Sequence, residues 1–498
     1  MKKYTLETIV FLTGAITMIF EIAGSRVLGP FYGTSIFVWT SLIGIIMGSL
    51  SLGYWLGGRL SVLKADKTIL AWILVFSGLF VLITAITNNY FLNGIMKYVS
   101  GFRLRIVISS IALFAPASIF FGIVLPYTVK LRILNIEHSG ATVGNLYALS
   151  TIGSIAGTFM AGFVLLPSMG FLNILYSLPL ILFLFSLILF LQEKNYIHIL
   201  VSVASIAVLA LFWIKTTSGK KSFIDVDTQY NRVIIYNSTD KTTNRPIKML
   251  LINDEKSSAM YTDKDSGLVF EVLRYYKLIE HFKPDFKKVL MVGGSGYAFP
   301  KYFLKNYSGK KIDVVEIDPQ LTLLAKKHFN LPDNPNLNIY HEDGRTFLNR
   351  TDKKYDAVLM DAYKSVLTVP FQLTTKEAIE AIYNSLTPDG VVLANIISTF
   401  NNETDYFLRA ELATYKSVFP QVYLFAVQYP DPDEKQMTYF QNFMLVGIKS
   451  GKEFSTTSVK PELNKYLSHL VKTKIPDNLP VLTDEYAPVE YYTSKVLK

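Results

Sequence analysis

Hydrophobic and polar positions alternate under two different rules along this chain. From Tyr4 to about Ile214 apolar residues run on almost unbroken, in about seven segments near 5–28, 35–58, 69–91, 106–130, 143–166, 171–191 and 197–214. Each is close to the ~20 residues an α-helix needs to cross a bilayer. They are apolar all round, whereas a helix on a water-soluble core keeps a polar face. After Gly219 the runs shorten. Val233–Tyr236 and Met249–Ile252 read as strands around a polar turn at 237–246, and Val269–His281 has helical spacing. Then Val289–Val292, Val314-Val315, Ile339-Tyr340, Ala357–Met360 and Gly390–Leu393 alternate with longer amphipathic stretches. That alternation predicts βαβ units around a parallel sheet.

Composition sharpens the division. Thirteen Lys and Arg stand against five Asp and Glu before residue 220, and 36 against 34 after it. The excess positive charge thus belongs to loops flanking the apolar segments, which suits lipid headgroups and argues against a nucleic-acid-binding face. Small residues four apart (Gly44/Gly48, Gly53/Gly57, Gly153/Gly157) predict close helix packing. Glu21 and Arg26 are charged residues inside or at the end of a spanning segment, read as a structural pair, an interfacial arginine or part of a transport path. Cysteine is absent, which excludes disulfides, thiolate zinc sites and a cysteine nucleophile; no metal site is expected. The first segment is too long for a cleaved signal peptide and shows no Ala-x-Ala-like site.

The candidate chemistry lies at the strand ends. The first parallel strand runs into Gly293-Gly294-Ser295-Gly296, where backbone can approach a nucleotide closely. Glu316 ends the next strand a little over 20 residues on, placed to accept from both ribose hydroxyls. Asp343 and Gly344 follow the third strand, the acid placed for an adenine amino group, and Asp361 ends the fourth, beside the reactive centre. Dinucleotide binding competes for this pattern. However, the third glycine of Gly-x-Gly-x-x-Gly falls at Phe299, and Asp343 and Asp361 would have no role. The predicted architecture is a multi-pass α-helical membrane domain of about seven helices (1–218) and a small β-rich lead-in (219–285). An α/β Rossmann-like, class I methyltransferase-like domain with a C-terminal extension follows (286–498).

At these residues the chain resembles the polyamine aminopropyltransferase (spermidine synthase) family, in its membrane-fused branch. The matching pieces are Gln229-Tyr230-Asn231-Arg232-Val233, Leu278-Ile279-Glu280-His281, Gly293-Gly294-Ser295-Gly296, Val315-Glu316-Ile317-Asp318-Pro319, Asp343–Leu348, Tyr355–Asp361 and Leu386–Val391. Leu482–Glu490 resembles a tail element of the fused branch. The resemblance implies no prosthetic group. It implies decarboxylated S-adenosylmethionine as donor, a diamine such as putrescine as acceptor, and methylthioadenosine as product. It further implies that Glu316 binds ribose, Asp343 adenine and Asp361 the attacking amine, and that Tyr230 and Tyr275 line the polyamine channel.

Three departures stand out. Gly296 occupies the place of the family's glycine-loop aspartate, Tyr276-Lys277 that of His/Gln-Glu, and Lys364 that of a second acid after Asp361. Asp484, Glu485 or Glu490 is expected to fold back and replace the lost charge. Two other readings remain open: an S-adenosylmethionine-dependent methyltransferase, for which Lys364 suits a carboxylate-bearing donor, and a nucleoside- or polyamine-binding transporter or sensor. Asp431, Asp433 and Glu434 read as a solvated loop. The expected partners are a small-molecule acceptor, a lipid bilayer and, optionally, a second copy of the chain. Loop charges divide eight against seven and leave orientation undecided. The cytosolic occurrence of adenosyl sulfonium donors favours a multi-pass cell-membrane protein with a cytoplasmic enzyme domain.

Overall fold

The computed structural model describes residues 4–33, 35–133, 139–218, 223–263, 267–362, 369–401, 403–451, 454–473, 475–476 and 478–495. It divides into two compact units, Met1–Ser222 and Phe223–Lys498.

Among the described residues the first unit holds seven helices long and apolar enough to cross a membrane: Thr5–Tyr32, Ile36–Leu63, Lys67–Tyr98, Phe102–Arg132, Ser139–Ser168, Phe171–Gln192 and Tyr196–Thr216. Glycine decides two of the crossings. A Cβ at Gly53 or Gly57 would strike fourth-helix backbone at Ile119 or Ile123, and one at Gly153 or Gly157 would strike first-helix backbone at Phe11 or Ala15. Gly44 and Gly48 behave otherwise: nothing lies within 4 Å of a Cβ built at either, so that pair makes no close helix contact. Identical spacing gives opposite outcomes because only one face of the second helix meets the fourth.

Among the described residues the second unit contains two sheets. The first is antiparallel and runs β1 (Ile224–Asp227), β2 (Arg232–Thr239), β3 (Pro246–Ile252), β4 (Glu255–Tyr261) in order. Asn253 and Asp254, both with positive φ, form the two-residue turn between β3 and β4, a connection whose twist matches a hairpin. The second sheet has seven strands in the order β10-β11-β9-β8-β5-β6-β7. Its strands are β5 (Lys288–Val292), β6 (Lys311–Val315), β7 (Leu337–Tyr340), β8 (Tyr355–Met360), β9 (Leu386–Ser398), β10 (Gln421–Ala426) and β11 (Gln441–Ile448). Strands β5 to β9 are parallel, and β11 runs antiparallel to both its neighbours.

Leu290 and Val292 pack into the core on one face of this sheet, and Val289 and Met291 into the core on the other. Burial on both faces is why these strands read as continuous apolar runs rather than alternating ones. The helix expected over 269–281 is interrupted. Glu271–Tyr275 and Ile279–Phe282 are α-helical, and Tyr276–Leu278 between them is a 3₁₀ turn.

Candidate active site

Strand order reverses where β5 meets β6 on one side and β8 on the other. In an open parallel sheet such a switch point opens a crevice beyond the carboxyl ends of the strands. Gly293 follows β5 and Asp361 follows β8, so the topology sets them side by side. The Gly293 amide donates to Val315 O, and the Asp361 amide donates to Val292 O, each at 2.9 Å. Gly293 has φ +100°, and a Cβ there would collide with the Asp361 carbonyl, so both conformation and space require glycine.

Glu316 anchors the glycine-rich turn. Its Oε2 accepts from the Gly294 and Ser295 amides, both at 2.9 Å, and its Oε1 accepts from the Asp318 amide at 3.0 Å. Burial pushes this carboxyl above its usual range, against the opposing pull of those three amides. A carboxylate offers about four acceptor sites, so Oε1 retains capacity for a ligand hydroxyl. Asp343 caps the helix Gly344–Arg350, with Oδ1 accepting from the Arg345 and Thr346 amides at 2.9 and 3.1 Å. Its Oδ2 has no protein partner among the described residues. Gly293, Glu316, Asp343, Gly344 and Asp361 together line a cavity of about 110 Å³.

A second cavity of about 510 Å³ lies between the two sheets and shares Ile252, Ser257, Ser295 and Asp361 with the first. Ser257 and Ser295 join across the boundary through their hydroxyls at 2.7 Å. Asp240, Glu255, Glu271 and Asp361 on the wall outnumber Lys241 and Lys256, so the cavity favours cations. Asp361 stands where the two spaces meet. Its Oδ1 accepts from Asn395 Nδ2 at 2.9 Å, and Asn395 Oδ1 accepts from Asn442 Nδ2 at 2.9 Å. Asn442 N donates to Gln428 Oε1 at 2.8 Å. Desolvation pushes the Asp361 carboxyl up to about 6, with the Asn395 hydrogen bond pulling the other way. A carboxylate so poised can take a proton near neutral pH.

The motif reading did not single out Asn395, Asn442, Gln428 or Ser257. For Asn395 a signal existed: one amide interrupts the apolar run Val391–Ile397. The others come from elements that the parallel-strand pattern does not reach.

Neither tyrosine proposed for the channel lines either of these two cavities. Asn231 lines the smaller cavity, and its neighbour Tyr230 does not; both belong to the turn between β1 and β2 that Thr228 holds through the Tyr230 and Asn231 amides. Tyr275 is 1% exposed, its hydroxyl 2.6 Å from His469 Nδ1 and its ring against Tyr466. Phe270 and Glu271, at the start of the same helix, line the larger cavity instead. The replaced family acids have structural accounts as well. A Cβ at Gly296 would lie 2.6 Å from Ser258 Oγ, which leaves no room for an aspartate. Lys277 pairs with Glu462 at 3.0 Å, and the Tyr276 hydroxyl donates to Met360 O at 3.1 Å. Lys364 lies outside the described residues. Nor do the tail acids supply the missing charge at either cavity. Asp484 is bound to Arg345 at 2.8 Å and to Thr375 at 2.6 Å, and Glu485 is exposed. Glu490 lines neither cavity. Asp431, Asp433 and Glu434 are exposed.

Comparison with known proteins bears on this geometry. Residues 274–450 match the spermine/spermidine synthase domain family. The chain is 29% identical over 167 residues to the polyamine aminopropyltransferase of Vibrio vulnificus, which covers 33% of this chain and 54% of that protein. The match therefore spans about half the length of that relative. With polyamine aminopropyltransferase 2 of Aquifex aeolicus it shares 23% identity over 478 residues, covering 91% of this chain and 90% of the relative. Among solved structures, a probable spermidine synthase from Corynebacterium glutamicum aligns with a TM-score of 0.40 and 24% identity. That alignment covers 47% of this chain and 83% of the other.

Proposed function

We propose that this chain, which belongs to the spermine/spermidine synthase family through residues 274–450, is a membrane-anchored aminopropyltransferase. In this reading it moves the aminopropyl group of decarboxylated S-adenosylmethionine onto a primary amine, putrescine being the simplest candidate. The observation that carries the reading is the meeting, at the one carboxylate Asp361, of a cavity lined by the glycine turn and the strand-end acids Glu316 and Asp343 with a larger acidic cavity.

In the smaller cavity Glu316 accepts from ribose and Asp343 Oδ2 from the adenine amino group, while Gly293 and Gly294 let backbone close on the nucleoside. This sets the sulfonium near Asp361. The acceptor lies in the larger cavity, its charged end among Glu255, Glu271 and Asp240, its reacting nitrogen neutral and hydrogen-bonded to Asp361. The nitrogen lone pair attacks the aminopropyl carbon on sulfur. The C–N bond forms as the C–S bond breaks, and the bonding pair leaves on sulfur as neutral methylthioadenosine. The new ammonium then releases its proton to Asp361 and on to solvent. Catalysis in this scheme is proximity and charge placement. The Asn395–Asn442–Gln428 chain fixes the direction of the carboxylate.

The seven apolar helices support attachment to a cell membrane as a multi-pass protein, and the donor's chemistry supports a cytoplasmic catalytic unit. Calorimetric titration of the detergent-purified protein tests the reading. Preference for decarboxylated over intact S-adenosylmethionine, with turnover on diamines, is the expected result. Preference for the intact donor would replace it with a methyltransferase, and binding of neither would leave a transporter or sensor.

A further inference from the structure

The family pattern loses acids at Gly296, Lys277 and Lys364, and the tail acids do not restore them at the cavities. A different carboxylate stands beside the site. Glu411 lies on the helix Tyr406–Lys416 and is 4% exposed. It makes no hydrogen bond or ion pair among the described residues. Other buried acids of this unit are engaged: Asp405 with Arg409 at 2.8 Å, and Asp313 with the Tyr355 hydroxyl at 2.9 Å. A buried carboxylate without a partner is costly in the ionised form, and a cation is its natural complement.

Glu411 faces a cavity of about 30 Å³ together with Tyr415, Thr374 and Asn395. That volume holds one water-sized group, which is also the size of an ammonium. The walls have few donors to offer. The Thr374 hydroxyl is directed to Phe371 O at 2.8 Å, and the Asn395 amide is already engaged by Asp361 and Asn442. The cavity adjoins the site on two sides, sharing Ala362, Pro370 and Leu373 with the nucleoside cavity and Asn395 with the larger one. An ammonium brings three donors and no acceptor, which suits a carboxylate with a phenol beside it.

We infer that Glu411 is the counter-charge for a primary ammonium group of a substrate, and so a specificity-determining residue of the transfer. The inference rests on the aminopropyl-transfer reading. The ammonium belongs either to the donor's aminopropyl chain or, with Glu411 taking the place of Glu255, Glu271 and Asp240 as its partner, to the remote end of the acceptor.

Methylthioadenosine, which has the nucleoside but no ammonium, separates the possibilities. In Glu411→Gln its affinity stays at the wild-type value. If the donor's ammonium is the partner, affinity for decarboxylated S-adenosylmethionine falls roughly 10- to 100-fold, the scale of a charged hydrogen bond. If the acceptor's is the partner, both nucleosides bind as before and KM for the diamine rises by a similar factor. Glu411→Met, apolar and of similar volume, reads the same quantities should the glutamine variant fold poorly. Unchanged donor affinity together with unchanged diamine KM would overturn the inference, as would loss of methylthioadenosine binding in both variants. Failure of the wild-type protein to bind methylthioadenosine would instead remove the aminopropyl-transfer reading beneath it.

Discussion

Replacing Asp361 with asparagine should abolish turnover and stabilise the fold, and the pH dependence of the gain can be worked out. Desolvation raises this carboxyl from the ordinary 3.8 to about 6 in the folded protein. A carboxyl with a raised folded pKa binds its proton more tightly folded than unfolded. Its favourable contribution is therefore complete below the unfolded value and is lost as pH rises through the folded one. At 1.36 kcal/mol per pH unit, the rise corresponds to a cost of about 3 kcal/mol above pH ~6, relative to a group that never ionises. This is an upper figure, because Asp361 borders an open cavity. For a domain of this size each kcal/mol moves Tm by roughly 2–4 °C. Asp361→Asn should thus melt up to about 10 °C above wild type at pH 8, with the gap narrowing through pH 5 and closing below about pH 4. Thermal unfolding of the full-length, detergent-solubilised pair at pH 8, 6 and 4 measures it, alongside aminopropyl transfer. Equal or lower Tm at pH 8, or a gap that persists in acid, would refute burial as the cause of the shift. Full activity in the variant would remove Asp361 from the mechanism.

Two further outcomes test the neighbouring groups. Asn395→Ala removes the hydrogen bond that favours ionised Asp361, so the acidic limb of kcat/KM should move to higher pH by about one unit; an unmoved limb would separate this contact from the chemistry. Asp343→Ala should weaken methylthioadenosine binding and also cost about 1 kcal/mol of stability, because Asp343 caps the helix Gly344–Arg350. Asp343→Asn keeps a capping oxygen, so it should recover the stability and leave affinity low. Wild-type affinity in both variants would sink the adenine assignment.

Much of the glycine-turn side of this site can be read locally. A strand followed by Gly293-Gly294, and single acids at the ends of the next strands, occupy positions fixed by a few neighbouring residues. The larger cavity differs. Asn395, Asn442 and Gln428 come together only because β11 inserts antiparallel between β9 and β10, and no short-range pattern announces that pairing. Tyr275 illustrates the converse. Its place in the motif implied a channel wall, yet packing turned its hydroxyl towards His469, about 190 residues further along the chain.

The sequence alone determined the seven apolar helices, the parallel strands and the register of the strand-end acids. Bilayer thickness, strand length and backbone sterics impose those constraints on consecutive residues. Only the tertiary structure decided which face of each element is buried. It set Asp361 between two cavities, closed the space beside Gly296 with Ser258 and left Glu411 without a partner. Each of these depends on which distant segment occupies the neighbouring volume, and close packing settles that for the molecule as a whole.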